Sequence, residues 1–272
     1  MHIFFSDLDG TLLNDQKEIT PLTKKAVDDF VAAGNHFVIS TGRPLQSAID
    51  TQKRLGLKYP GSYVSAYNGA VIYDTAAGKT LYETGIALDL IKPMLEIADS
   101  CHVHIQAFQK HYIVSRSYND HLQYYRDRIS MPVIITEDML SELAAPPWKL
   151  LAIDIYDRAH LEEFHDTLSE RLGNYVRPVF SGPHYIDIFP VDAGKGKSLV
   201  RLCQLLHVPV ENSFAAGDEE NDIPMLEAAG CGICMCNGND ETKRAADVIT
   251  TEDNNHDGLV PFLKSAVSGL QP

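Results

Sequence analysis

Residues 3–13, Ile-Phe-Phe-Ser-Asp-Leu-Asp-Gly-Thr-Leu-Leu, run from an apolar stretch straight into two carboxylates, a glycine and a hydroxyl. A strand that ends in Asp7 and Asp9 brings like charges together, which costs stability unless a cation sits between them. The same letters also spell a turn, since Asp-Gly is a common turn pair and acids cap helices. What stands at the other strand ends decides between the two readings.

Outward from this strand, residues 1–75 alternate strand and helix. Ile3–Ser6 reads as a strand. Thr20-Pro21 supplies an N-cap and a first helical residue, and Leu22, Ala26, Val27 and Phe30 recur at helical spacing until Gly34. A strand follows at His36–Ser40, a helix at Leu45–Leu57 and a strand at Tyr63–Tyr67. Strand–helix–strand units of this length predict a parallel sheet with right-handed crossovers. A hairpin is expected at Val71–Asp74 and Thr80–Glu83. Between about Ile86 and Ile188 the rhythm is lost, with helices expected at Leu88–Ser100, Tyr118–Ile129 and Ala159–Leu172. Strands there are expected at Val103–Phe108, Tyr112–Ser115, Lys149–Tyr156, Tyr175–Phe180 and Tyr185–Phe189. From Gly196 the alternation returns. The expected fold class is α/β: a parallel-sheet, Rossmann-like core domain in two segments, 1–84 and 190–272, with an inserted α+β domain at 85–189.

Composition bounds the function. The 272 residues carry 23 basic and 37 acidic side chains, a net charge of −14. That balance disfavours nucleic acid and anionic membrane as partners, which both need a basic face. An anionic ligand would have to be met by particular groups or a metal. No apolar run approaches a membrane span, and an acid at residue 7 without a basic flank does not read as a signal peptide. Five cysteines, an odd number, do not read as a disulfide framework. The expected compartment is the cytoplasm.

In open α/β sheets the ligand site lies beyond the carboxyl ends of the strands. Three such ends here are polar: Asp7-Leu-Asp9, Ser40-Thr-Gly-Arg43, and Gly217-Asp-Glu-Glu-Asn-Asp222. A chance turn explains one of them and not all three. If strand alternation continues, Asp7 and Asp9 project the same way while Leu8 turns away. Gly10 allows a sharp bend. A hard cation such as Mg²⁺ would neutralise the acids, with Asp218 completing the set, and would take an oxygen from a phosphate. Ser40 or Thr41 with the amide of Gly42, Asn221 and a lysine can hold phosphate oxygens.

These residues carry a resemblance to the haloacid-dehalogenase-like phosphohydrolases, and within them to the Cof-type sugar-phosphatase group with a C2-type cap. DLDGT at 7–11, STGR at 40–43, NGA at 68–70, DAGKGKSL at 192–199 and GDEENDIPML at 217–226 match in order, with the cap between the third and fourth. The likeness spans essentially the whole chain. It implies a Mg²⁺-dependent phosphatase acting on small phosphomonoesters, sugar phosphates or phosphorylated cofactors, with a small-molecule partner and a monomer or weak homo-oligomer. By that likeness Asp7 attacks phosphorus and becomes an aspartyl-phosphate. Asp9 protonates the leaving alkoxide and then activates water, a role that needs a raised pKa. Asp7, the backbone carbonyl of Asp9, and Asp218 bind the metal. Leu8, Thr41, Gly42, Lys195 and Asn221 hold the phosphate, and Asp222 supports the metal or orients Lys195. Arg43 either anchors its loop or meets the leaving group, and Asn68 faces the site or serves a turn. A sugar-phosphate mutase and a non-catalytic phospho-ligand sensor are the alternatives.

Two further patterns are weighed against blander readings. Val191-Asp-Ala-Gly-Lys-Gly-Lys-Ser198 approximates a P-loop but has Val191 where that motif needs glycine. Cys231, Cys234 and Cys236 lack a second pair at metal-ligand spacing and read as core packing. The resemblance also breaks at Cys236-Asn237-Gly238, where the family's usual Gly-Asn-Ala is expected. In the inserted segment His102 and His104 alternate and can share a strand face.

Overall fold

The computed structural model describes residues 1–127, 129 and 131–268. β1 (Ile3–Ser6) is wholly buried. The Thr20 side chain accepts the Thr23 amide and Pro21 opens α1 (Pro21–Ala32), which buries Thr23, Ala26, Val27 and Phe30. Leu22, expected in that stripe, is instead 47% exposed, because it lies one position off the buried face. β2 (His36–Ser40) and α2 (Leu45–Arg54) follow, α2 stopping short of Leu57 where Gly56 takes a positive φ of 67°. β3 (Ser62–Ala66), β4 (Val71–Asp74) and β5 (Lys79–Glu83) complete the first segment.

The chain then runs through α3 (Leu88–Ser100), β6 (His104–Phe108), β7 (Ile113–Ser115) and α4 (Asp120–Arg126). The helix expected at Tyr118–Ile129 is thus shorter, Asn119 capping it at one end; Arg128, within that expectation, lies outside the described residues. Next come β8 (Val133–Ile135), α5 (Met139–Glu142), β9 (Lys149–Ile153), α6 (Arg158–Leu172), β10 (Val176–Gly182) and β11 (Tyr185–Pro190). β8 and α5 were not anticipated. His102 stands outside β6 with a positive φ of 58°, so the expected alternation with His104 does not hold. The return segment holds α7 (Lys195–Leu205), β12 (Ser213–Gly217), α8 (Ile223–Ala228), β13 (Cys231–Cys234), α9 (Asp240–Ala245), β14 (Val248–Ile249) and α10 (Val260–Ser268).

Two compact units result: Met1–Tyr82 together with the segment beginning at Gly194, and Glu83–Ala193. The first is built on an eight-stranded sheet ordered β14-β13-β12-β1-β2-β3-β4-β5, parallel from β14 to β3 and turning antiparallel at β4. On one face Phe4 stacks between Phe37 and Phe214 from the two neighbouring strands, with ring centroids 6.0 Å apart in each pair. On the other, Ile3, Phe5 and Val38 pack with Leu199 and Leu202 of α7 and Met225 of α8. The second unit has a sheet ordered β10-β11-β9-β6-β7-β8, antiparallel except for β7 with β8. One face of it packs against α3 and α6 through Ile105, Ala107, Leu150, Ala152, Phe164 and Leu168.

Register places the site. Ser6 pairs with Ile39 on one side and Ala216 on the other, all parallel, so β1, β2 and β12 release their next residues at one edge of the sheet. Those residues are Asp7, Thr41 and Asp218.

Candidate active site

Asp7 still belongs to the ladder through its amide, which donates to Ala216 O at 3.0 Å. Beyond it the chain turns: Leu13 N donates to Leu8 O at 2.8 Å, and Gly10 has a φ of 83°. Leu8 is buried completely in the core. A Cβ on Gly10 would lie 2.2 Å from Asp218 Oδ2, so only glycine lets that carboxylate approach the turn. Thr11 donates to the other oxygen, Asp218 Oδ1, at 2.7 Å. The DLDGT turn and the end of β12, more than two hundred residues apart in sequence, therefore meet through Gly10 and Thr11.

Lys195, at the start of α7, lies between two acids. Its Nζ is 2.6 Å from Asp7 Oδ1 and 2.5 Å from Asp222 Oδ1, with the lysine side chain fully buried. Asp222 Oδ2 accepts the amides of Asp218 and Glu219 at 3.1 and 3.2 Å. Both oxygens of Asp222 are thus occupied in holding Lys195 and the Asp218 loop. Burial works to strip the proton from Lys195, but Asp222 and Asp7 outweigh it and hold its pKa above the ordinary lysine value. Burial pushes the Asp7 carboxyl up to about 7, against the pull of Lys195 and with help from Asp222 and Asp218. Burial likewise pushes Asp218 up to about 6, although the Thr11 hydrogen bond opposes it.

These acids suit a divalent cation. Asp7, Asp218 and Asp222 each offer an oxygen, and the three oxygens lie within 4.8 Å of one another. One lysine charge against three buried carboxylates leaves two negative charges over; burial is the larger cause of the raised pKa values, and the neighbouring acids add to it. Since Asp222 is spent, Asp7 and Asp218 are the pair with an oxygen to spare, and hard oxygen donors of this kind fit Mg²⁺.

Asp9 behaves otherwise. β1 ends at Ser6, so strand alternation does not carry past Asp7, and the two acids engage different partners. Asp9 takes Arg43 Nε at 3.0 Å, Arg43 Nη2 at 2.7 Å and Lys17 Nζ at 2.8 Å. Burial would raise its pKa, but the Lys17 hydrogen bond and the Arg43 charge prevail and lower it. The expected raised pKa of Asp9 is thereby corrected: two cations hold it as a carboxylate. Arg43 is itself fixed, since Nη1 reaches Thr51 Oγ1 on α2 at 3.3 Å.

The β2 end supplies neutral groups. The Arg43 amide donates to Thr41 Oγ1 at 3.2 Å, and the Asn68 amide donates to Thr41 O at 3.0 Å. Asn68 sits in the left-handed region with a φ of 51°, and its Oδ1 accepts Asn221 Nδ2 at 3.4 Å. The position a Cβ would take on Gly42 is 3.1 Å from that same oxygen. Thr41, Gly42, Asn68 and Asn221 are therefore neighbours. The buried Ser40 hydroxyl has no partner among the described residues.

Sequence reasoning assigned no role to Lys17, Thr11, Asn237 or Asn254. Asn237 Nδ2 donates to Gly10 O and Asn254 Nδ2 to Leu13 O, both at 2.8 Å, so the far end of the chain braces the turn. Thr11 was at least visible inside DLDGT, and Asn237 as a polar residue after a strand. Lys17, in a polar turn, carried no signal.

A family model described as haloacid dehalogenase-like hydrolase matches residues 4–263. The 5-amino-6-(5-phospho-D-ribitylamino)uracil phosphatase YitU of Bacillus subtilis is 32% identical over 276 residues, 96% of each chain. Phosphatase YwpJ of the same organism is 27% identical, over 97% of this chain and 99% of its own. Among solved structures, a haloacid dehalogenase-like hydrolase from Bacteroides thetaiotaomicron superposes with a TM-score of 0.84 at 26% identity, covering 97% of this chain and 98% of that one. No helix among the described residues is long and apolar enough to cross a membrane.

Proposed function

We propose that this chain, which belongs to the haloacid dehalogenase-like hydrolases and is a phosphoric monoester hydrolase, is a Mg²⁺-dependent phosphatase of small phosphomonoesters that works through an aspartyl-phosphate on Asp7. The observation that carries this reading is the buried excess of acid around one lysine, Asp7, Asp218 and Asp222 against Lys195.

Asp7 is the nucleophile. One of its two carboxylate oxygens forms the bond to phosphorus as the bond to the leaving oxygen breaks, the other being left for the cation. Lys195 pulls Asp7 towards its ionised form against burial and offsets charge on the transferring group, while Asp222 holds Lys195 in place. Asp7, the Asp9 carbonyl and Asp218 would hold Mg²⁺, which supplies charge neutralisation for the phosphoryl oxygens. The amides and polar groups at Leu8, Thr41, Gly42 and Asn221 orient the phosphate, with Asn68 holding Asn221. Asp9, a carboxylate at rest, takes up a proton from solvent, gives it to the leaving alkoxide, then takes one from the water that attacks the acyl phosphate, releasing inorganic phosphate and restoring Asp7. To do so it gives up contacts with Arg43 and Lys17.

The relatives point the substrate search. Several bear the name 5-amino-6-(5-phospho-D-ribitylamino)uracil phosphatase, so that ester belongs in the first panel with sugar phosphates and phosphorylated cofactors. Phosphate release over such a panel, with Mg²⁺ and with a chelator, tests the reading. Asp7→Asn is expected to keep the fold and lose at least about 10³-fold in kcat, as removal of a nucleophile does. Unchanged turnover in that variant would remove Asp7 from the chemistry.

A further inference from the structure

Within the unit Glu83–Ala193 lies a cavity of about 230 Å³, walled mainly by polar side chains, among them Asp99, His104, Arg116, Ser117, Asn119 and His121. Hydrogen bonding fixes which atoms remain to meet a ligand. Asn119 Oδ1 is occupied by the Leu122 amide at 3.0 Å, so its Nδ2 group is what faces His104 Nδ1 at 3.0 Å and Ser117 Oγ at 3.3 Å. His104 therefore accepts at Nδ1 and carries its proton on Nε2, beside Ser115 Oγ at 3.4 Å. The Ser115 hydroxyl in turn donates to Ser117 O at 3.1 Å. His121 accepts the Ile155 amide at Nδ1, 3.3 Å away, which places its proton on Nε2 as well. The two rings are stacked, 20° from parallel with centroids 6.0 Å apart.

This polarity discriminates between ligands. Each neutral imidazole has one ring lone pair, and both are already used, so neither ring offers a nitrogen to a metal ion. Ser117 Oγ is an acceptor for Asn119, which leaves its hydroxyl proton free. On these side chains the atoms left over are donors, the Ser117 hydroxyl and the His121 Nε2–H, with the Arg116 guanidinium beside them; His102, which also lines the cavity, adds a ring that can donate too. Arg116 is held at present by Asp99, through Nη1 at 2.9 Å and through Nη2. The Asp99 side chain is 58% exposed against 32% for Arg116, so the acid is the partner that can move into solvent. In a chain of net charge −14, such a concentration of donors is a local feature.

We infer that this cavity is an oxyanion site, taking a phosphate or carboxylate group on Ser117, His121 and Arg116. It lies in the unit that does not contain Asp7, Lys195 and Asp218, so its occupancy can be read apart from phosphate bound at those residues. The readout is the imidazole ¹⁵N–¹H spectrum of the full chain, followed while inorganic phosphate, sulfate or acetate is added at constant ionic strength. The His121 Nε2 resonance is expected to move saturably, His104 following weakly. Movement with phosphate and sulfate alone marks a tetrahedral oxyanion, and movement with acetate marks a carboxylate. Ser117→Ala is expected to weaken the binding midpoint about tenfold, the worth of one hydrogen bond to a charged group, and Arg116→Gln by at least as much. The inference is overturned if no anion moves either resonance more than chloride does. It is also overturned if both variants, with spectra showing them folded, bind with the wild-type midpoint.

Discussion

Lys195 is the residue on which the acid group depends, because it is the cation between Asp7 and Asp222 in a place water does not reach. Replacing it by methionine keeps the volume and removes the charge. Breaking a buried pair in this way costs about 3–5 kcal/mol, since the acids are left uncompensated. Lys195→Met is therefore expected to melt lower than wild type and to lose activity. Its deficit should also depend on pH. With Lys195 gone, the folded-state pKa of Asp7, already raised, loses the cation that pulls it down and rises further above its unfolded value. Stability from such groups is fully present below about pH 4 and is lost as pH rises through the folded values. Thermal denaturation should thus show the smallest deficit near pH 4–5 and the largest near pH 8; a deficit that grows on acidification would refute the charge account. Wild type without metal carries a weaker form of the same trend, with Asp7 near 7 and Asp218 near 6. Lys195 was legible in the sequence because the DAGKGKSL stretch singled it out. Lys17 was not, because its contact with Asp9 arises from how a turn of Asn14 to Glu18 folds back, held by Asn14 Oδ1 on the Gln16 and Glu18 amides.

At the scale of elements, the loop after β13 explains a departure that the sequence left unread. A Cβ on Gly238 would lie 2.7 Å from Cys234 Sγ and 2.9 Å from Asp218 O. Cysteine at 234 fills part of the space that an alanine at 238 would need, and the backbone oxygens of Asp218 and Met235 fill the rest. Gly238→Ala alone is expected to cost about 1–3 kcal/mol by overpacking. Adding Cys234→Ala should recover part of that, giving a coupling of at least about 0.5 kcal/mol in a double-mutant cycle measured by denaturant unfolding. Strict additivity would separate the two residues. α4 yields an acid-side prediction. Burial first, and the His121 ring second, lower the His104 pKa to about 4. Protonation would put a proton on Nδ1, where Asn119, the cap of α4, donates. An unfolded histidine takes its proton near 6.5, so stability should fall as pH drops from 6.5 to 4 and level off below, by on the order of 2–3 kcal/mol. His104→Asn should flatten that limb. The strong elements, β1, β2, α1 and α3, were legible from periodicity and caps. β8 and α5 were not, being three and four residues long and set by pairing with β7 and by the Asp138 cap.

For the molecule as a whole, the change of rhythm near residue 85 and its return near 196 led the sequence to be read as two kinds of packing. The structure has two units, each with its own apolar cluster. What periodicity could not give was the order of strands, because register across β1, β2 and β12 is a long-range property; the motifs at their ends had to stand in for it. The division makes metal binding testable without turnover. Mg²⁺, if held by Asp7 and Asp218 as proposed, would join the first segment of the chain to the last, and a ligand that binds only the folded state at 100 times its Kd adds about 2.7 kcal/mol. Mg²⁺ with beryllofluoride, a mimic of the phosphorylated acid, is expected to slow amide exchange in peptides from 1–82 and from 194–268. The largest effect should fall on the Asp7–Leu13 turn, where Asn237 and Asn254 clamp the backbone. Asp218→Asn should abolish the protection while leaving the exchange pattern of Glu83–Ala193 as in wild type. Protection that survives in Asp218→Asn would place the ion elsewhere. Protection that begins in Glu83–Ala193 and leaves the Asp7 turn untouched would do the same, and the buried excess of acid would then need another cause.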